Sequence, residues 1–289
     1  MNIILGGTGH VGAATAAALL ERGEAVTIVT RDAGKAQHWQ DLGVTVAEAD
    51  VTDSDALRTV LQTGKRAFLL NPPGDPSGDT EAAEIRSIEA ILAALDGSGL
   101  EKIVAQSTYG AQPGSAIADL GTLHHFEQGL ANQPIPTSIQ RGAYYMSNFA
   151  MNLDAARDEG IVQSMFPADF VLPMVAPADL GEAAAMQLTQ PVDKTGLHHV
   201  EGPRRYSIAE VAEAFGEALD RPVRVVTTPR EQWEEAFAAM GFSPAAAHSY
   251  AGMTSLTLDG DFPPEETVWK GMVTIEAYVG ELVRNSHVA

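Results

Sequence analysis

The stretch Asn2-Ile3-Ile4-Leu5-Gly6-Gly7-Thr8-Gly9-His10-Val11-Gly12 decides the fold of this 289-residue chain. Asn2 to Leu5 reads as a short buried strand, and an alanine- and leucine-rich helix follows from Val11 to Glu21. Between them, Gly6, Gly9 and Gly12 recur every third residue. Unpaired amides and the positive end of the helix dipole make such a helix start a phosphate site. The three glycines serve different ends. Gly6 turns the chain, Gly9 lets the backbone approach a pyrophosphate, and Gly12 lets helix and strand pack closely. Thr8, His10 and Val11 complete the turn, so the segment predicts a dinucleotide-binding βαβ unit.

The end of the second strand bears on which dinucleotide is bound. An acidic residue there would hydrogen-bond the adenosine ribose, as NAD requires, but the chain reads Ile28-Val29-Thr30-Arg31-Asp32. Thr30 takes the acidic position, and Arg31 with Lys35 one helical turn on is suited to a 2′-phosphate. The expectation is NADP, with NAD the alternative in which Arg31 and Lys35 are only solvated charges. At the end of the third strand, Asp50 is a candidate acceptor for the adenine amino group, and Val51 a cover for its ring. Asp53 reads as a helix cap.

Outward from the turn, short aliphatic runs alternate with helical segments through the first 140 residues. Strands are predicted at Asn2 to Leu5, Ala25 to Thr30, Val44 to Glu48, Arg66 to Leu70, Lys102 to Gln106 and Thr137 to Gln140, with helices including Ser54 to Gln62, Thr80 to Leu95 and Leu120 to Ala131. This is the α/β pattern of a Rossmann-type doubly wound parallel sheet. Beyond residue 142 the alternation loosens, and prolines appear at 167, 173, 177 and 191. The expected division is a dinucleotide-binding domain over 1–142, rejoined by a strand near 196–201. Residues 143–289 then make mostly a smaller C-terminal α/β lobe that binds substrate. Within that lobe Ser207-Ile208-Ala209-Glu210 is a capping box, Thr228-Pro229-Arg230-Glu231 predicts a helix with Pro229 at its first position, and Val223 to Thr227 a strand.

Composition narrows the functions. Eighteen basic against 38 acidic side chains give a formal net charge of −20, which repels nucleic acid and anionic lipid. There are no cysteines, so disulfides, thiolate metal sites and a thiol nucleophile are excluded. No apolar run is long enough for a membrane span. The start of the chain enters a strand and a glycine turn in place of a basic leader, so the expectation is a cytoplasmic protein. No metal site is expected: His198 and His199 are adjacent on a strand and so point to opposite faces.

With the glycine turn, Arg31 and the Asp50-Val51 pair in view, the chain resembles the NmrA-like group of atypical short-chain dehydrogenases/reductases. Leu69-Leu70-Asn71-Pro72-Pro73 is similar to that group's fourth strand and loop, and Ala105-Gln106-Ser107-Thr108-Tyr109-Gly110-Ala111 to its fifth. Arg141-Gly142-Ala143-Tyr144-Tyr145-Met146-Ser147-Asn148-Phe149 is similar to the group's path from strand six into the substrate cleft. The resemblance covers about residues 1 to 205. It implies a cofactor across the carboxyl ends of the strands, with Asn71, Pro72 and Gly142 to Tyr145 near the nicotinamide half. Gln106, Ser107 and Tyr144 are thereby added to the expected cofactor contacts.

The chemistry is less fixed. Short-chain dehydrogenases pair a tyrosine with a lysine four residues later, which lowers the phenol's pKa. No tyrosine in this chain has a lysine at that spacing, and where the lysine is expected the sequence reads Gly121-Thr122-Leu123-His124-His125-Phe126-Glu127. A quinone acceptor is electrophilic enough to do without the pair. His124, His125 and Tyr144 are then the candidate proton donors, set against a packing role for each. Two readings follow: an NADPH-dependent reductase of small quinones or conjugated carbonyl compounds, or a non-catalytic NAD(P)-binding redox sensor acting through a protein partner. The expected partner is a small-molecule substrate, and a homodimer or a regulatory protein is the alternative association.

Overall fold

The computed structural model describes residues 1–286. The first half runs β1 (Asn2–Leu5), α1 (His10–Glu21), β2 (Val26–Thr30), α2 (Gln37–Asp41), β3 (Thr45–Glu48), α3 (Ser54–Leu61), β4 (Arg66–Leu69), α4 (Thr80–Leu95), β5 (Lys102–Thr108), α5 (Asp119–Ala131) and β6 (Thr137–Gly142). The second half runs β7 (Tyr144–Tyr145), α6 (Leu153–Asp158), β8 (Ile161–Ser164), β9 (Val171–Val175), α7 (Pro177–Thr189), β10 (Gly196–Glu201), β11 (Arg205–Ser207) and α8 (Ile208–Leu219). It ends with β12 (Arg224–Thr227), α9 (Trp233–Ala239), α10 (Pro244–Asp259), β13 (Trp269–Lys270) and α11 (Ile275–Asn285).

Among the described residues, eight strands form one sheet in the order β13-β10-β6-β5-β4-β1-β2-β3, and every pairing in it is parallel. Strand alternation feeds two hydrophobic layers. Ile4 and Ile28 face α1 and α7, while Ile3, Leu5 and Val29 face the layer of α3, α4 and α5. Both faces are covered, as a parallel sheet requires. This is the Rossmann-type architecture, with the crossover after β1 opening a crevice at the carboxyl ends of the strands.

Among the described residues, the chain returns to this sheet three times after residue 142. Gly196–Glu201 lies beside β6, Trp269–Lys270 beside β10, and α7 lies against α1. The α1–α7 contact is close enough that a Cβ on Gly181 would lie 2.4 Å from the Ala14 carbonyl carbon, which accounts for the small residues at the crossing. Two of these returns, α7 and β13, carry no periodic signal: α7 is buried on most sides, and β13 has two residues. The remainder forms the smaller lobe, with sheets β11-β9-β7 and β12-β8 around Tyr206, Phe215 and Met174, and α9 with α10 around Trp233 and Phe237.

Local chemistry fixes the helix starts. Ser207 accepts from the Glu210 amide at 3.2 Å, and the Glu210 carboxylate accepts from the Ser207 amide at 2.7 Å. Asp53 caps α3 by accepting from the Ala56 amide at 3.0 Å. Pro229 departs from expectation, because its backbone is extended and a short turn over Arg230–Gln232 delays the helix to Trp233. The delay lets the buried Trp233 indole donate to the Thr228 carbonyl at 3.0 Å. Between the lobes, the fully buried Glu201 carboxylate accepts from Arg205 and Lys270, each at 2.8 Å, and from the Tyr109 hydroxyl at 3.2 Å.

Candidate functional site

The glycine turn is built by close approach. Gly6 sits at φ +67°, in the left-handed region. A Cβ on Gly12 would fall 2.2 Å from the Gly6 carbonyl oxygen, so only glycine lets α1 rise against the end of β1. Gly7 proves equally constrained, since its Cβ would meet Ile28 Cβ at 2.4 Å. Gly9 is the N-cap of α1 and offers no capping side chain, and no acidic residue occupies the first turn. The opening amides therefore stay available to an anion, and their dipole is not already neutralised. His10 is exposed beside them, whereas Val11 points into the core and can contribute only its backbone.

Gly6, Thr8, Val29, Thr30, Arg31, Asp32, Lys35, Ala49, Val51, Leu70 and Pro72 line one cavity of about 170 Å³ over the carboxyl ends of β1 to β4. It gathers the turn, the basic pair and the apolar cover into one place. The Thr30 and Thr8 hydroxyls lie 3.3 Å apart, joining β2 to the turn. The Asp32 carboxylate accepts from the Gly34 amide at 2.9 Å and so is held by its own loop. Asp50 accepts from the Thr52 amide at 2.9 Å and from its hydroxyl at 2.7 Å, and these bonds hold its carboxyl below the usual range, with a smaller contribution from Arg31. Asn71 follows β4 with its side-chain oxygen buried and without a partner in the protein.

Three expected cofactor contacts, Gln106, Ser107 and Tyr144, and one candidate proton donor, His125, have partners within the protein. Gln106 is buried in a relay of amides: Gln140 donates to it at 2.9 Å, Gln187 donates to Gln140 at 2.7 Å, and Gln106 itself donates to the Ser107 carbonyl at 2.8 Å. Interior strands covered on both faces must satisfy their polar groups inward. Ser107 donates to Glu127 at 2.5 Å, and Glu127 pairs with Arg141 through bonds of 2.8 and 2.6 Å. Tyr144 packs into the second lobe against Phe149 and Phe166, and burial pushes its hydroxyl up from the ordinary tyrosine value. His125 is exposed and bonds Glu89 of α4 at 2.6 Å. His124 differs, having a buried Nδ1 without a partner in the protein. The helical angle between neighbours separates the two rings.

The sequence reading passed over a second cluster on the same edge. Tyr145, alternating with Tyr144, turns toward the first sheet, and burial raises its hydroxyl, with the nearby charge of Asp119 adding to the effect. Asp119 opens α5, and burial, with the charge of Glu84, raises its carboxyl to about 7. Tyr250 of α10 feels the same two carboxylates. Glu84 is buried and accepts from the Gly74 amide at 3.1 Å and the Thr122 hydroxyl at 2.8 Å. One signal was available: Glu81 and Glu84 stand three residues apart in the α4 segment, and a charge on the covered face of a helix needs a partner.

Among the described residues there is no grouping of three metal-ligating side chains, and His199 lies edge-on to Tyr109 at 5.1 Å. No described helix is long and apolar enough to cross a membrane. The NmrA-like family model matches residues 2–279. The chain belongs to the NmrA-like family. Within curated proteins it is 26% identical to an NAD(P)H azoreductase of Xenophilus azovorans, covering 86% of this chain and 84% of that one. The triphenylmethane reductase of Citrobacter sp. has the same fold at a TM-score of 0.81 and 17% identity, with 98% and 99% of the two chains covered. An NADPH-dependent quinone oxidoreductase of Escherichia coli, solved with NADPH, superposes at 0.76 with 20% identity over 98% and 99%.

Proposed function

We propose that this member of the NmrA-like family is an NADPH-dependent reductase that delivers hydride to a small quinone or conjugated carbonyl compound in the crevice between the lobes. The observation that carries the reading is the cavity joining the glycine turn to Arg31 and Lys35. Its relative named as an NAD(P)H azoreductase supports the reductase class. The residues fit a phosphorylated dinucleotide: Gly6 and Gly9 let the backbone reach a pyrophosphate, and the uncapped start of α1 supplies amides. Arg31 and Lys35 pair with a 2′-phosphate, while Val51 covers the adenine ring. The orphaned oxygen of Asn71 accepts from a donor toward the nicotinamide end. A bound dihydronicotinamide supplies the hydride.

The chain's own contribution is orientation and water exclusion. Tyr145, packed against the first sheet, gives the crevice an apolar wall. No tyrosine is followed four residues later by a lysine, so activation of an alcohol for oxidation lacks that acid–base pair here. An acceptor that is already electrophilic suits this arrangement. The test mixes the protein with NADPH and a quinone panel and follows the loss of nicotinamide absorbance. Turnover above a cofactor-only control is expected. Tight NADPH binding without turnover would refute the reductase and favour a redox sensor.

A further inference from the structure

We infer that Asp119 is the proton donor to the acceptor as it is reduced, and that Glu81 is the positioning residue that holds it at the crevice. This rests on the reductase reading above and deepens it. Backbone strain marks the place. Ala116 and Ala118, two residues with side chains, sit at φ +57° and +44° immediately before α5. Such conformations cost energy and persist only where the surroundings enforce them. The enforcing group is one carboxylate. Glu81 of α4 accepts from the amides of Ala116 at 3.2 Å, Ile117 at 2.8 Å and Ala118 at 2.8 Å, and from the Ser249 hydroxyl of α10 at 3.0 Å. A Cβ on Gly252 of α10 would strike the Ala116 carbonyl at 2.2 Å, so the second lobe presses on the same turn. The strained loop is thus held from both α4 and α10, and the next residue is Asp119.

Asp119 stands where the crevice is expected to react. β4, β5 and β6 are adjacent in the sheet. Asn71 leaves the first, the loop to Asp119 leaves the second, and Tyr145 follows the third, all at carboxyl ends. The titratable groups near enough to interact electrostatically with Asp119 are Glu84 from α4, Tyr145 from β7 and Tyr250 from α10. None is cationic. Asp119 is half-buried, and its carboxyl makes no hydrogen bond with the other described residues. It is free to donate, and its proton is retained near neutrality because burial and Glu84 oppose the charge.

The step balances with the proposed activity. The acceptor takes a hydride, with both electrons of the broken C–H bond, onto one end of its conjugated system. The dihydronicotinamide is left as the oxidised nicotinamide, the Asp119 O–H bond breaks as the carbonyl oxygen at the other end of the conjugated system gains its proton, and the carboxylate left behind recovers a proton from solvent.

The experiment measures NADPH oxidation with menadione between pH 5.5 and 9 for wild type, Asp119→Asn, Glu81→Gln and His124→Gln, with NADPH affinity measured separately. Wild-type kcat should fall as pH rises through about 7, because the acid must be protonated. Asp119→Asn should lose that alkaline limb and lower kcat by about 100-fold, the range of general acid catalysis, while NADPH affinity stays within about 2-fold. Glu81→Gln keeps an acceptor and weakens the clamp, so it should lower kcat and shift the limb without abolishing it. Asp119→Asn that keeps both the limb and wild-type kcat would overturn the assignment, as would transfer of the limb to His124→Gln. Wild type that binds NADPH but turns over no acceptor removes the reductase reading and this inference with it. Turnover that is indifferent to Asp119 removes the inference alone.

Discussion

Replacing Arg31 with alanine separates the two phosphorylation states of the cofactor. Arg31 is exposed at the mouth of the adenosine cavity, with Lys35 beside it and the Asp32 carboxylate turned onto the Gly34 amide. A hydrogen bond to a charged group contributes about 1.5–3 kcal/mol. Solvent at this exposed rim screens the pair, which leaves up to about 1 kcal/mol. The expected result is a rise of up to about 5-fold in the Kd for NADPH and less than about 2-fold for NADH. Titration of nicotinamide fluorescence with both cofactors, at low and moderate salt, reads the difference. The discrimination should shrink as salt rises, because exposed charges are screened. Equal losses for the two cofactors would refute phosphate pairing and return Arg31 to a solvated surface charge.

Gly12→Ala should abolish cofactor binding and lower the melting temperature, because the new methyl meets the Gly6 carbonyl oxygen at 2.2 Å; overpacking of this kind costs about 1–3 kcal/mol and is read by thermal unfolding. Glu201→Ala leaves Arg205 and Lys270 without their shared buried anion and should destabilise the protein by about 3 kcal/mol in urea unfolding, far more than loss of the exposed Arg230–Asp259 pair. Asp119 predicts a pH effect on stability. Its carboxyl is raised to about 7 in the folded state, so its contribution is fully present below its ordinary value of 3.8 and is lost as pH climbs through 7. Asp119→Asn should therefore melt at a higher temperature than wild type at pH 8, with no such gain near pH 3.5.

The glycine turn could be read from the sequence because its physics is local: three glycines, one strand and one helix lie within a short stretch of chain. The first six strands were readable for a similar reason, as aliphatic runs bounded by helices. Side-chain direction was harder to read. Gln106 and Ser107 end a strand at the right edge, yet neighbouring elements offered Gln140 and Glu127, and those partners captured them. Tyr144 and Tyr145 are adjacent, and only the register of β7 against β9 decides which one enters the second lobe. Asp119 gave no sign at all, because its neighbours come from α4, β7 and α10, segments far from it and from one another in the chain. Its strained approach through Ala116 and Ala118 is enforced from Glu81, a partner that no local pattern links to that loop.

The three returns of the second half to the first sheet bear on how the protein can be divided. A fragment ending after β6 would keep every glycine of the turn yet lose β10, and with it the neighbour that hydrogen-bonds Ser138 to Gly142. Its outermost strand would present a bare edge, open to pairing with another chain. The same cut would strip α7 from α1 and open the apolar layer that the two helices share over the sheet. The dinucleotide-binding half is therefore not a portable module, and truncation after β6 should yield aggregate where a simple two-domain chain would yield a soluble binder. An insertion or a circular permutation would have to respect the same weave, with new termini placed where no later segment comes back to complete the sheet.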